Sequence, residues 1–180
     1  LKSNALTIHA LVTNYLDLSQ IEAGRLQLTL KPIPLNPLLE RIRQQYEPEA
    51  RRQRIILRCR LQRGLPFVYG DALALERVFT NLLNNALKFT PEMGQVTISS
   101  SRYSEELVVK VSDTGPGVAS EEIPTLFQKY HRCVQTCPHE GVGLGLFIAK
   151  TLVDAHNGRI EVESTLGQGT QFLVFLPLAI

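Results

Sequence analysis

The chain has 180 residues, 44% of them apolar and 20% charged, with a formal net charge of +2. That length suits one globular domain with a sizeable core and room for an appendage. The charge is too even to imply a nucleic-acid partner, no apolar run reaches the roughly 18 residues of a membrane span, and no signal-peptide pattern opens the chain. Leu1 reads as an internal position of a longer protein, so membrane attachment is expected only through segments upstream. Three cysteines, an odd number with no disulfide framework, favour a reducing cytoplasm.

The first 23 residues, LKSNALTIHALVTNYLDLSQIEA, contain neither proline nor glycine. Ala5, Ile8, Val12 and Tyr15 are spaced 3-4-3, and Leu11 and Leu18 widen the stripe. This predicts an amphipathic helix with a seam for a partner helix, half of a hairpin or dimer bundle, stopped at Gly24. Residues 1–24 are therefore assigned to the bundle and 25–180 to the main domain. LQLTLKPI alternates as a strand closed by Pro32, Pro34 and Pro37. A helix is expected over 36–53, with Asn36 as N-cap and Pro37 in the first turn. IILRCRL alternates as the next strand. The arginines around it, at 51, 52, 54, 58, 60 and 63, carry no interleaved aromatics and so read as a solvated face, not a nucleic-acid patch.

Asp71 is placed to cap an apolar helix running through Lys88 and ended by Thr90-Pro91. QVTISSSRY and EELVVKVSD predict a hairpin, followed by a short helix near 120–126 and a polar loop. A helix over 143–156 turns at Asn157-Gly158 into the strand RIEVEST, and GQGT leads into QFLVFLPL. His156, at that helix end, is placed to meet free carbonyls. Strands joined by short turns and interleaved with helices predict an α+β two-layer sandwich with a mixed sheet.

Four stretches carry chemistry. In HEGVGLGLFIAK, Gly141, Gly143 and Gly145 open a helix whose free N–H groups suit an anion. The spacing is neither a Rossmann fingerprint nor a P-loop, and a purely structural cap stays open. In NLLNNALKFT, Asn81, Asn85 and Lys88 share one helix face, while Leu82, Leu83, Ala86 and Phe89 can face the core. Asparagine is a poor helix former, and an amide oxygen can ligate Mg²⁺ alongside phosphate oxygens; hydrogen bonding to a neighbouring loop is the alternative. In SDTGPGV, Asp113 ends a strand where its carboxylate can accept from an exocyclic amine or simply close its own turn. HRCVQTCPH groups His131, Cys133, Cys137 and His139, but lacks a C-x2-C knuckle, so a loop is favoured over a metal site.

Together these segments resemble the ATP-binding domain of histidine kinases, within the superfamily of gyrase, heat-shock chaperone and MutL ATPases. NLLNNALKF resembles the N box, DTGPG the first glycine box, LFQKYHR the phenylalanine box, GVGLGL the second glycine box and GQGT the last. DLSQIEAGRLQL resembles the hand-over from a dimerisation bundle. The resemblance implies a Bergerat-type fold with three main helices, binding ATP and Mg²⁺. It implies that Asp113 reads adenine in a pocket shaped by Gly115 and Gly117, that Asn85 holds the metal, and that Asn81 supports it. Lys88 would reach phosphate, and Gly141, Val142, Gly143, Leu144, Gly145 and Leu146 would flank it, with Thr170 near the adenine. Residues 127–142 become an ATP lid anchored by Phe127 and Tyr130, with Arg132 approaching the γ-phosphate.

Where the superfamily's hydrolases carry a water-activating glutamate, this chain has Asn81, so phosphoryl transfer is expected instead of hydrolysis. The acceptor would be a histidine followed by an acid on the first bundle helix. His9 has no acid beside it, His131 and His139 belong to the lid, and none of the four histidines is assigned as acceptor. The implied partners are that bundle, as a homodimer in the intact protein, and the aspartate of a response-regulator receiver domain. A related protein-serine kinase, or a module sensing nucleotide or redox state, remains the alternative.

Overall fold

The computed structural model describes residues 12, 14–16, 18–131 and 143–179. Five strands form one sheet in the order β2-β4-β5-β7-β6: β2 (Ile56–Leu61), β4 (Gln95–Tyr103), β5 (Glu106–Asp113), β6 (Arg159–Thr165) and β7 (Gly169–Pro177). β2 runs parallel to β4 and the other pairs are antiparallel, so the sheet is mixed as expected. A small ribbon pairs β1 (Lys31–Ile33) with β3 (Val68–Gly70). Among the described residues a helical segment that includes 18–22 comes first, and three helices pack with the sheet: α1 (Leu35–Arg52), α2 (Ala72–Phe89) and α3 (Gly145–Ala155).

Period-two burial on the strands meets period-3.6 burial on the helices, which makes the two layers. Val96 and Ile98 of β4, Leu107, Val109 and Val111 of β5, and Phe172, Val174 and Leu176 of β7 are buried. They share one cluster with Leu75, Val78, Phe79, Leu82 and Leu83 of α2 and Ile148 and Leu152 of α3. Each large apolar side chain so buried contributes about 1.5–3 kcal/mol. The opposite sheet face exposes Arg58, Arg60, Glu161 and Glu163, with Val108 paired to Phe175 beneath Arg159. Arg51, Arg52 and Arg54 pair with Glu47, Glu49 and Glu92, in keeping with a solvated arginine face.

The start of α2 is pinned as its sequence requires. Asp71 Oδ1 accepts from the N–H groups of Leu73 and Ala74 at 2.9 and 3.0 Å, and Oδ2 accepts from Thr29 N–H at 2.9 Å. Burial pushes the Asp71 carboxyl up, but the backbone donors of Ala74, Thr29 and Leu73 outweigh it and hold the group below its ordinary range. His156 is 1% exposed. Its Nδ1 meets Leu152 O at 2.6 Å, and its Nε2 accepts from Asp71 N–H at 3.0 Å. Those partners define the tautomer with the proton on Nδ1, and the ring stitches the end of α3 to the start of α2.

Several elements depart from the sequence-based expectation. Asn36 does not cap α1: the helix begins one residue earlier, after Pro34, which has no side-chain oxygen to offer. The Asn36 amide is engaged elsewhere, donating to Gln62 O and accepting from Ser100 Oγ, both at 2.7 Å. Only Lys31–Ile33 of the expected 26–33 strand is paired, because β3 offers three residues and Thr29 N–H goes to Asp71. The helix expected over 120–126 shrinks to a 3₁₀ turn at Ile123–Thr125 with Pro124 inside it. Phe89 is only half-buried, and Leu87 takes the core position instead. Leu18 leaves the N-terminal stripe: it is 3% exposed and joins the main core, while Val12 and Tyr15 are 54% and 68% exposed. Among the described residues, no helix is long and apolar enough to cross a membrane, and no group of three potential metal ligands occurs. His139, Cys133 and Cys137 lie outside them.

Candidate nucleotide site

The site is built on one face of α2. Asn81 lies against the start of α3: a methyl group on Gly145 would stand 3.6 Å from Asn81 Oδ1. Asn85, one turn further, is half-buried, whereas Asn84 is exposed and hydrogen-bonds Tyr46 of α1. Lys88 is half-buried at the last turn, with Nζ 5.0 Å from the Phe89 ring centroid.

The turn after β5 meets the end of the same helix. A methyl on Gly115 would come within 3.0 Å of Phe89 O. Asp113 Oδ1 accepts from Gly115 N–H at 2.8 Å. Burial raises the Asp113 carboxyl above its ordinary range, against the opposing backbone donors of Gly115 and Thr170. An acceptor already desolvated, with fixed partners on one side, is prepared for a hydrogen-bond donor on the other. Thr170 lies directly opposite Asp113 in the β5–β7 register and is buried. Gly117 has φ +71°, and an added methyl would collide with Thr165 O, so only glycine fits there.

Ser164 is the component that sequence reading missed. Its Oγ accepts from Val118 N–H at 2.8 Å, and it also contacts Gly169 O at 3.0 Å and Thr170 Oγ1 at 2.9 Å. One hydroxyl therefore ties β6 and β7 to the turn after Asp113. Its only sequence signal is a small polar residue at an inward position of RIEVEST.

At the other end, Phe127 packs edge-to-face on Phe172, with ring centroids 6.2 Å apart. Tyr130 does not anchor by packing: its side chain is 60% exposed. It anchors through its backbone, whose N–H donates to Gly143 O at 3.0 Å. Gly143 has φ +71°, and a methyl there would stand 2.6 Å from His131 O. Leu144 is buried and Leu146 packs on the core, so these two fix the turn while their backbone remains at the helix start. Arg132, Gly141 and Val142 lie outside the described residues.

A polar cavity of about 260 Å³ opens at the Asp113 end of the sheet, lined by Asp113, Ser164 and Gly169 together with Ser112, Glu163 and Gln171 among others. The cavity therefore shares Asp113 and Ser164 with the candidate nucleotide site.

A mixed sheet under three helices, with an asparagine-bearing helix between a desolvated aspartate and a glycine-opened helix start, defines an ATPase domain of the histidine-kinase kind. Residues 70–180 match the family model described as histidine kinase-, DNA gyrase B- and HSP90-like ATPase, and the chain belongs to that family. Over 171 residues it is 37% identical to the circadian input-output histidine kinase CikA of Synechococcus elongatus, covering 93% of this chain and 23% of that protein. Over 179 residues it is 32% identical to the cell-division control histidine kinase PdhS of Brucella canis, covering 93% of this chain and 17% of the relative. The chain therefore spans about a fifth of those proteins' length. Full-length ShkA in complex with AMPPNP superposes with TM-score 0.83 at 31% identity, over 96% of this chain and 36% of ShkA. The catalytic domain of histidine kinase ThkA superposes with TM-score 0.74 at 25% identity, over 83% of this chain and 97% of that domain.

Proposed function

We propose that this chain is the ATP-binding catalytic part of a two-component sensor histidine kinase, working on the γ-phosphoryl group of Mg-ATP in a cytoplasmic setting. The observation that carries the reading is the convergence of Asn81 with the start of α3, and of the Asp113 turn with the last turn of the same α2. Asp113 accepts a hydrogen bond from the adenine amine, with Gly115, Gly117 and Thr170 shaping that end. The N–H groups at the start of α3 favour the phosphates, with Gly141, Val142, Gly143, Leu144, Gly145 and Leu146 supplying the turn and its support. Phe127 and Tyr130 hold its far side.

The donor set suits a hard cation only if the nucleotide shares in binding it. Asn81 and Asn85 offer neutral amides, which suits Mg²⁺ held mainly by phosphates and water with one amide from Asn85. When bound, the ion offsets charge on the phosphate oxygens. Asn81 has no useful basicity, so it orients neighbours without activating water. Lys88 and Arg132 supply positive charge toward the transferred group. The acceptor is a histidine nitrogen outside these 180 residues, on a bundle that residues 1–24 continue. A receiver-domain aspartate takes the phosphoryl next. The intact protein works as a homodimer and needs no nucleic acid.

Asn85→Ala is the direct test. Mg-dependent ATP affinity, measured by calorimetry, is expected to fall at least about tenfold, or roughly 1.4 kcal/mol. An unchanged affinity refutes the assignment of Asn85. Incubation with labelled ATP is expected to label a separately supplied bundle carrying the acceptor histidine, and not this chain alone.

A further inference from the structure

Lys129 lies in the phenylalanine box but does not point into solvent alone. Its Nζ donates to Glu22 Oε1 at 2.8 Å, across 107 positions of sequence. The same ammonium stands 5.0 Å from the centroid of the Phe147 ring, in the first turn of α3. Glu22 is held there by more than this contact. Leu18, one turn earlier, is buried in the main core, and Ile21 packs against it, so the end of the N-terminal helix is docked on the domain.

The residue after Lys129 completes the connection. Tyr130 has φ +61°, and its N–H holds Gly143 O at 3.0 Å. Gly143 is pressed so closely on this segment that a methyl group would stand 2.8 Å from Tyr130 C. A displacement of Lys129 is thus passed to the phosphate turn by two routes, through the Phe147 ring and through the Tyr130 backbone.

We propose that Lys129 is a positioning residue through which the N-terminal helix sets the phosphate turn, Glu22 being the helix's point of contact; this rests on the nucleotide-site reading above. The direction follows from the geometry. With Glu22 engaged, Gly143 O is already taken by Tyr130 N–H, and the first N–H groups of α3 have no partner within the helix and so suit an anion. Docking of the helix therefore favours nucleotide. By reciprocity, nucleotide steadies the docked helix.

The pair is half-exposed, at 36% and 54%, so the effect is modest and sensitive to salt. AMPPNP affinity of the 180-residue chain, with Mg²⁺, is expected to weaken about threefold in Glu22→Gln and in Lys129→Gln, within the range for such ion pairs. Combining them should add little to either alone, since both remove one connection. The reversed pair, Glu22→Lys with Lys129→Glu, should recover part of what the single reversals lose. High salt should bring the wild type toward the variants. A purely structural ion pair would lower the melting midpoint of both variants and leave affinity unmoved, which would overturn the proposal. An effect of Lys129→Gln without one from Glu22→Gln would overturn it too, by giving Lys129 a direct role at the nucleotide. Absence of AMPPNP binding in the wild type defeats the site reading and this proposal together; wild-type binding indifferent to Glu22 defeats only this one.

Discussion

The two ends of the site are built differently. The adenine end is made of strands: Asp113 and Thr170 are paired in register, and the Ser164 hydroxyl ties both strands to the following turn. The phosphate end is made of a helix face and a helix start, and among the described residues the segment beside it is held by the Phe127–Phe172 contact, by a backbone bond from Tyr130 to Gly143 and by the half-exposed Glu22–Lys129 pair. The strands that carry Asp113 and Thr170, β5 and β7, are each bonded on both sides, whereas a helix start leaves its N–H groups for whatever arrives. On the proposed reading, the base is recognised where the sheet fixes the fold, and the phosphates lie at a helix start whose N–H groups are left for a ligand.

The largest expected effect comes from alanine at the two glycines that mark these ends. Both Gly117 and Gly143 have φ +71° and no room for a methyl, so each substitution costs about 1–2 kcal/mol in backbone conformation before any clash. Gly117→Ala also displaces the Thr165 carbonyl between β6 and β7. It is expected to lower stability by more than about 2 kcal/mol and to abolish ATP binding. Gly143→Ala should cost less stability and act mainly on affinity for the phosphates, leaving adenosine binding nearly intact. Thermal melting and calorimetry with ATP and adenosine measure both. Equal stability losses in the two variants would break the contrast between the ends.

The second effect separates binding from stability at one side chain. Burial raises the folded pKa of Asp113. Such a carboxyl contributes most to stability below its unfolded pKa, about 3.9, and loses that contribution as pH rises through the folded value. At pH 7 the ionised group therefore opposes folding. Asp113→Asn is expected to melt higher than wild type at pH 7, with the advantage gone below about pH 4. It should still lose at least about tenfold in ATP affinity, because an amide cannot replace a charged acceptor for the amine. A variant that melts lower at pH 7 would place the origin of the shift elsewhere.

Much of this arrangement was legible in the chain. The mixed sandwich followed from short turns between alternating runs, and the sharing of one helix face by Asn81 and Asn85 followed from a four-residue spacing. Asp71 as cap and His156 at a helix end were visible as local chemistry. The bond from Asp71 N–H to His156 was not, because it joins positions 85 residues apart. Asn36 misled for a related reason: an N-cap residue type with a distant partner is indistinguishable from a cap until the edge strand is in place. Leu18 fitted the bundle stripe by spacing, and only the folded domain shows it turned inward. Ser164 carried no local signal, since a serine in a strand is ordinary until its neighbours are known. Periodicity and capping are local, whereas pairing across 46 residues, as from Ser164 to Val118, is not.

The smallest effect is expected at Asp71, which lies at the opposite end of α2 from Lys88 and serves as a control for both ends of the site. Asp71→Ala removes acceptors for Leu73, Ala74 and Thr29, and should cost about 1 kcal/mol, the usual worth of an N-cap. Because the folded Asp71 carboxyl lies below its ordinary range, its contribution is present above the unfolded pKa, about 3.9, and is lost as pH falls through the folded value. The difference between wild type and Asp71→Ala should accordingly narrow in acid. Asp71→Asn keeps a capping oxygen and should be nearly as stable as wild type at low pH, while lacking the wild type's gain toward neutrality. Neither substitution should move ATP affinity at saturating folded fraction. If Asp71→Ala weakens nucleotide binding as much as Asn85→Ala, α2 is transmitting strain along its length, and the site cannot be divided into a fixed end and an adjustable one.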